Sequence, residues 1–254
     1  MIFPTKFVEW KEVNDLSWLL AKKIKNSGWI PSTIVAVGRG GLVVARILSD
    51  LLGIDKLLAI SIKWYEPAKK GWETYLADLI RAFYRSHENG IPLENEIANV
   101  VKNLRISISV EMRADLTNQS VLLVEEITAT GMHFKVAKEI VGSWGAKEVK
   151  TATLVWKGPT VIEPDYYVVK PGRFVWFQFP WSRLNDYIQF IGVMTIEESR
   201  KRKRYTWSMD ELAELFRVWY GMKPDPRYFE EALNVLNSHG VIKILDRNSV
   251  VIST

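Results

Sequence analysis

The run Val121-Leu122-Leu123-Val124-Glu125-Glu126-Ile127-Thr128-Ala129-Thr130-Gly131-Met132-His133 decides how this chain is read. Four consecutive apolar residues suit a strand buried on both faces, as in a parallel sheet. A turn is expected from Glu125 to Gly131, then a helix from His133 to Trp144 that Gly145 stops. Two carboxylates at the C-terminal end of such a strand stand where open α/β sheets bind ligands. Glu125 and Glu126 can accept hydrogen bonds from ribose hydroxyls or hold a hydrated Mg2+. Thr128, Ala129, Thr130, Gly131, Met132 and His133 can then wrap a phosphate with backbone N–H groups, the Thr130 hydroxyl and the dipole of the next helix. A solvated strand end would also carry two glutamates, but here the acidic pair and the turn fall together.

Upstream lies a second unit of the same kind. Thr33-Ile34-Val35-Ala36-Val37 is a short apolar run, followed by Gly38-Arg39-Gly40-Gly41, a helix from Leu42 to Leu52 and a strand from Leu57 to Ile62. Strand, glycine loop, helix and strand make a βαβ unit with a right-handed crossover. Gly40 and Gly41 let the backbone approach an anion, and Arg39 adds a permanent cation with forked donors. A tight structural βα turn would explain the glycines as well. An earlier helix is expected from Glu12 to Asn26, with Leu16, Leu19, Leu20 and Ile24 at helical spacing. Downstream, Val149 to Trp156 reads as a strand that Lys157 closes, and Tyr166 to Val169 and Val175 to Phe177 as further short strands.

In these motifs the chain resembles the type I phosphoribosyltransferases, most closely the xanthine-guanine, 6-oxopurine branch. That family joins an apolar strand, an acidic pair and a Thr-Gly phosphate loop to an upstream Arg-Gly-Gly pyrophosphate loop. Lys157, and Trp176 with Phe177 in Val175-Trp176-Phe177-Gln178-Phe179-Pro180-Trp181, stand at a spacing similar to that of the family's base-reading lysine and base-stacking tryptophan. The resemblance covers residues 1–65 and 120–190. It implies an α/β fold with a mostly parallel sheet flanked by helices, and transfer of phosphoribose from phosphoribosyl pyrophosphate to a purine base with Mg2+. The product would be a nucleoside monophosphate, and a homodimer or higher homo-oligomer is implied by analogy. It also implies roles: Arg39, Gly40 and Gly41 for pyrophosphate, residues 128–133 for the 5′-phosphate, Glu125 and Glu126 for the ribose and metal, and Lys157, Trp176 and Phe177 for the base.

Three positions depart from the family pattern. The acidic pair is Glu-Glu where two aspartates are usual, Ala129 stands where 6-oxopurine enzymes place a proton-handling aspartate, and His133 replaces a hydroxyl residue. Alanine cannot do acid–base work. A protonated His133 could still attract a phosphate.

Residues 66–104 interrupt the α/β rhythm with two amphipathic segments, Leu76, Leu79, Ile80 and Phe83, then Ile97, Val100, Val101 and Leu104. They are expected to form a helical hairpin that serves as a lid or as a dimerisation or packing element, with a strand after it at Ile106 to Met112. The domain boundaries expected are 1–199 for the transferase domain, including that insertion, and 200–254 for a small module. In the latter, two helix faces and a hairpin around Asp246-Arg247-Asn248 suggest a winged-helix-like fold.

A DNA-binding regulator on the same fold is the competing expectation. The run Arg200-Lys201-Arg202-Lys203-Arg204 could meet nucleic acid or be a solvated linker. Residues 206–254 hold five Lys/Arg against seven Asp/Glu, a poor electrostatic footprint for DNA. The net charge of +5 is compatible with either partner, and zero cysteines exclude disulfides, cysteine-ligated zinc and thiol catalysis. No stretch reaches the roughly 18 apolar residues of a membrane span, and the N-terminus lacks a signal-peptide layout. A cytoplasmic protein is expected.

Overall fold

The computed structural model describes residues 2–65, 71–102, 105–109, 113–158, 160–246 and 248–253. The chain begins with β1 (Thr5–Phe7), α1 (Trp10–Asn26), β2 (Thr33–Gly38), α2 (Gly41–Leu52) and β3 (Leu57–Tyr65). It continues through α3 (Tyr75–Asn89), α4 (Leu93–Lys102), β4 (Arg105–Ser109), β5 (Ser120–Thr128), α5 (Met132–Ser143) and β6 (Glu148–Trp156). Then follow β7 (Tyr166–Val169), β8 (Trp176–Gln178), α6 (Arg183–Arg202), β9 (Thr206–Ser208), α7 (Met209–Tyr220), α8 (Pro226–Ser238), β10 (Ile242–Asp246) and β11 (Ser249–Ile252). Two compact units result: residues 8–64 with 106–175, and residues 1–7, 65–105 and 176–254.

The first unit is built on a six-stranded sheet in the order β4-β3-β2-β5-β6-β7, parallel from β3 through β7. Side chains alternate across a strand, so β5 buries two sets of residues. Val121 and Leu123 pack with Phe134, Ala137 and Val141 of α5, together with Val35, Val37, Ile60 and Ile62. Leu122 and Val124 point the other way and are fully buried too, on the side that α1 and α2 cover. Burial on both faces is why these strands read as unbroken apolar runs rather than alternating ones. The expected mostly parallel sheet flanked by helices is therefore the architecture observed. From β2 the chain winds to β3 on one side, and from β5 to β6 and β7 on the other. The neighbouring ends of β2 and β5 thus form the switch point of the sheet, where α/β proteins leave a crevice.

One expectation about β5 needs correction. The turn is expected from Glu125, yet the strand runs on to Thr128, with Glu125 opposite Thr153, Ile127 opposite Val155 and Thr128 opposite Trp156 on β6. Pairing with a nine-residue β6 carries the acidic pair inside the ladder, and the turn begins at Ala129.

In the other unit, β8 joins β1 in a two-stranded parallel ladder. The hairpin α3–α4 forms as expected; α3 buries Leu76, Ala77, Leu79 and Ile80 and packs against α6. The expected outer bounds of the insertion, 66 and 104, lie outside the described residues, as do Val110 and Met112 of the expected strand. Helix α6 has no counterpart in the sequence reading. Its residues Asp186 to Thr195 are buried without a break, so no polar stripe marks it as helical. The boundary expected at 199/200 falls inside α6, and Arg200 to Arg202 form its last turn rather than a linker.

After α6, strand β9 pairs with β11 and β11 with β10 in an antiparallel sheet, with α7 and α8 between β9 and β10. Ser208 and Glu211 form a capping box at the start of α7, and Asp225 with Pro226 starts α8. No helix among the described residues is long and apolar enough to cross a membrane.

Candidate active site

At the switch point, β2 ends at Gly38 and the loop Arg39-Gly40 leads into α2, with a cis peptide between Gly38 and Arg39. Arg39 is exposed, while Gly40 and Gly41 are buried. Gly41 has no room for a side chain, since a Cβ there would lie 2.4 Å from the Val124 carbonyl oxygen. The glycine loop therefore presses directly on β5.

The two acidic residues are consecutive on a strand and so face opposite sides of the sheet. Glu126 faces the glycine loop: a Cβ on Gly40 would fall 1.9 Å from its Oε1 and 2.4 Å from its Oε2. Glu126 as a whole is half-buried, and its carboxyl end is the part that the loop covers. Loss of water, and secondarily the charge of Glu125, push its pKa up to about 8, against the pull of a backbone hydrogen bond. Glu125 turns towards α5, where its Oε1 lies 2.5 Å from His133 Nδ1. Its residue exposure is only 7%.

Ala129, Thr130 and Gly131 make the turn between β5 and α5. Gly131 adopts φ +74° as the N-cap, a conformation that glycine takes without strain. A Cβ at Gly131 would also meet the Ile162 carbonyl at 2.7 Å. The Thr130 hydroxyl accepts from Met132 N at 3.3 Å, closing the bend locally. Lys157 N donates to the Thr128 carbonyl and Val161 N to the Thr130 carbonyl, each at 2.9 Å. The backbone after β6 thus straps the turn from outside, a contribution that no motif in residues 157–162 announced.

The structure brings Arg39, Gly40, Gly41, Glu125, Glu126, Thr128, Ala129, Thr130, Gly131, Met132 and His133 to the adjoining ends of β2 and β5. Lys157 leaves the end of the neighbouring β6, with Nζ 5.6 Å from the Phe174 ring centre. Trp176 and Phe177 lie on β8 in the other unit, where both are buried. There the Trp176 indole donates to Asp186 Oδ2 at 3.0 Å, and Tyr75 meets it edge-on at 5.6 Å. Among the described residues no group of three or more His, Asp or Glu side chains is arranged to cage a metal ion.

Residues 9–183 match the phosphoribosyl transferase domain, and the chain belongs to that family. The class is thus a phosphoribosyltransferase enzyme. Among solved structures, the chain is similar to a purine phosphoribosyltransferase from Pyrococcus horikoshii, with 27% identity and a TM-score of 0.51 over 70% of this chain and 94% of that one. A hypothetical protein from Neisseria gonorrhoeae with bound ppGpp shares 17% identity at a TM-score of 0.52, over 71% of this chain and 90% of that one. No curated protein matches the chain.

Proposed function

We propose that this protein transfers phosphoribose from phosphoribosyl pyrophosphate to a purine base, with 6-oxopurines favoured, giving a nucleoside monophosphate and pyrophosphate in purine salvage. The observation that supports this most is the meeting of Glu126 with Gly40, which joins the two phosphate-type loops into one site at the switch point. The similarity to the purine enzyme from Pyrococcus horikoshii favours a purine acceptor.

In the transfer, the bond from C1′ to pyrophosphate oxygen breaks and its electron pair leaves with pyrophosphate. The lone pair of the unprotonated nitrogen in the base's five-membered ring forms the new C–N bond, and the other nitrogen of that ring gives up its proton to solvent. Arg39 and the amides of Gly40 and Gly41 hold the leaving pyrophosphate. The turn from Thr128 to His133 receives the 5′-phosphate at the N-terminus of α5. Glu126, beside the glycine loop, and Glu125, on the α5 side of the same strand end, serve the pentose from either flank, where positive charge develops in the transition state. Lys157 donates to the 6-oxo group of the base. Trp176 and Phe177 keep the base-holding role that the resemblance implies, although the burial of both makes Lys157 the sharper test of base recognition.

Mg2+ keeps most of its water and takes ligands from substrate phosphates with one or two carboxylates, so it needs no protein cage. The oxygen donors Glu125 and Glu126 suit a hydrated ion that arrives with the pyrophosphate. When bound, Mg2+ supplies neutralisation of the charge that builds on the leaving group.

A second reading is a DNA-binding regulator on this fold, with a winged-helix-like module at 200–254. The order α6-β9-α7-α8-β10-β11, with β9 on β11, favours it. Electrostatics disfavour it. Arg200 pairs with Glu197, Lys201 with Glu88, Arg202 with Glu198 and Arg204 with Glu211, at 2.7–3.6 Å, so the basic run is largely neutralised.

The two readings separate in one assay. The protein is incubated with phosphoribosyl pyrophosphate, Mg2+ and, in turn, xanthine, guanine, hypoxanthine and adenine. Monophosphate from a 6-oxopurine supports the transferase; no product with any base, together with salt-sensitive duplex binding, reverses the order.

A further inference from the structure

We infer that His133 is a positioning residue that clamps Glu125, so that two departures from the family pattern, a glutamate for an aspartate and a histidine for a hydroxyl residue, form a single feature. The inference rests on the transfer proposed above. Glu125 carries one more methylene than aspartate and so one more rotatable bond. A longer acid at the end of β5 reaches further and holds its oxygens less firmly, unless something fixes them.

His133 supplies that fixing. It is the second residue of α5, on the side of the sheet that Glu125 faces, and the tight turn through Gly131 brings it back over the strand end. Nδ1 lies 2.5 Å from Glu125 Oε1, and the two side chains are 15% and 9% exposed. The clamp has the imidazole donating through Nδ1–H and the carboxylate oxygen accepting. A serine or threonine hydroxyl is shorter than an imidazole and suits a shorter acid or a phosphate. The imidazole is directed at Glu125, which leaves the 5′-phosphate to the backbone amides and Thr130.

The Glu125–His133 pair is tested by a double-mutant cycle that restores the family pattern. Glu125→Asp and His133→Thr are each expected to lower kcat by roughly 10- to 100-fold, the scale of a misplaced catalytic group. KM for phosphoribosyl pyrophosphate should stay within about 3-fold, since kcat alone falls when an interaction belongs to the transition state. The double variant is expected to recover most of the loss, a non-additivity that only coupled residues show. His133→Asn, whose amide N–H can stand in for Nδ1–H, should retain more activity than His133→Leu, and serves if the threonine variant folds poorly. Additive losses would overturn the inference. So would a rise in KM with unchanged kcat for His133→Thr, which would mean that the imidazole grips the phosphate.

If the wild-type protein makes no monophosphate from any base, the transfer reading falls, and the clamp is judged by nitrogen-15 NMR of the histidine rings. The chain has three histidines, and the signal lost in His133→Asn identifies the right one. The clamp requires an Nδ1-protonated ring with a strongly deshielded proton that Glu125→Ala abolishes. A spectrum unchanged by Glu125→Ala would refute it.

Discussion

The carboxyl group of Glu126 occupies the space that any side chain at Gly40 would need, with Oε1 only 1.9 Å from the position of a Cβ there. The neighbouring Gly41 faces the backbone of β5 instead, 2.4 Å from the Val124 carbonyl oxygen. The two glycines therefore fail in different ways when replaced.

Gly40→Ala meets the far end of a flexible side chain, so Glu126 can swing aside and the fold survives. Turnover is expected to fall by about 100-fold, because the carboxylate proposed to serve the sugar is displaced. Gly41→Ala meets main chain that cannot move independently, and should cost about 1–3 kcal/mol. Thermal melts and initial rates on both variants check this. Equal loss of stability in the two would contradict the placement of Glu126.

The raised pKa of Glu126 makes a prediction of definite sign. In the folded chain its carboxyl holds a proton up to pH about 8, against an ordinary value of 4.5. The folded state thus binds more protons than the unfolded state between those limits, and stability falls as pH rises through that window. Glu126→Gln is permanently neutral and escapes the loss. Without Mg2+, the variant and the wild type should be closely matched near pH 4.5, and the variant should be more stable by a few kcal/mol at most above pH 8. Denaturation series at both ends of the window measure the difference. Parallel curves would mean that Glu126 is well solvated.

Of the residues proposed to hold the base, Lys157 alone stands at the end of a strand of the main sheet. Lys157→Ala is expected to weaken 6-oxopurines selectively, by roughly 10- to 100-fold in kcat/KM, since a carbonyl acceptor loses its charged donor. Adenine, lacking the oxo group, should be affected far less. Equal losses for adenine and guanine would rule out a base-reading role.

The ion pairs along Arg200 to Arg204 predict weak contact with DNA. In fluorescence anisotropy at physiological salt, a random duplex should bind more weakly than about 0.1 mM, the loose end of ordinary non-specific affinity. Tighter binding that weakens steeply with salt would restore the regulator reading.

Much of the fold was legible because the elements around the switch point carry strong local signals. Val121 to Val124 and Thr33 to Val37 are buried on both faces and read as apolar runs, and Gly53 terminates α2 in a left-handed conformation. The end of β5 was misjudged because Glu125 and Glu126 look like solvent-facing turn residues; only their pairing with β6, a partner distant in sequence, keeps them in the strand. Helix α6 was invisible for the opposite reason: buried from Asp186 to Thr195, it has no polar face to set a period. Both loops were legible from their glycines as connections between a strand and the next helix. The opposed directions of Glu125 and Glu126, and the bond from His133, depend on strand alternation combined with the exact length of β5, which the misplaced turn had obscured.

The proposed chemistry needs one site at the adjoining ends of β2 and β5, and a crystal structure with a bound nucleoside monophosphate tests that most directly. The 5′-phosphate should sit against the main-chain amides of Ala129 to His133, with the ribose hydroxyls towards Glu125 and Glu126. A nucleotide bound elsewhere, with that turn making no contact to its phosphate, would contradict it.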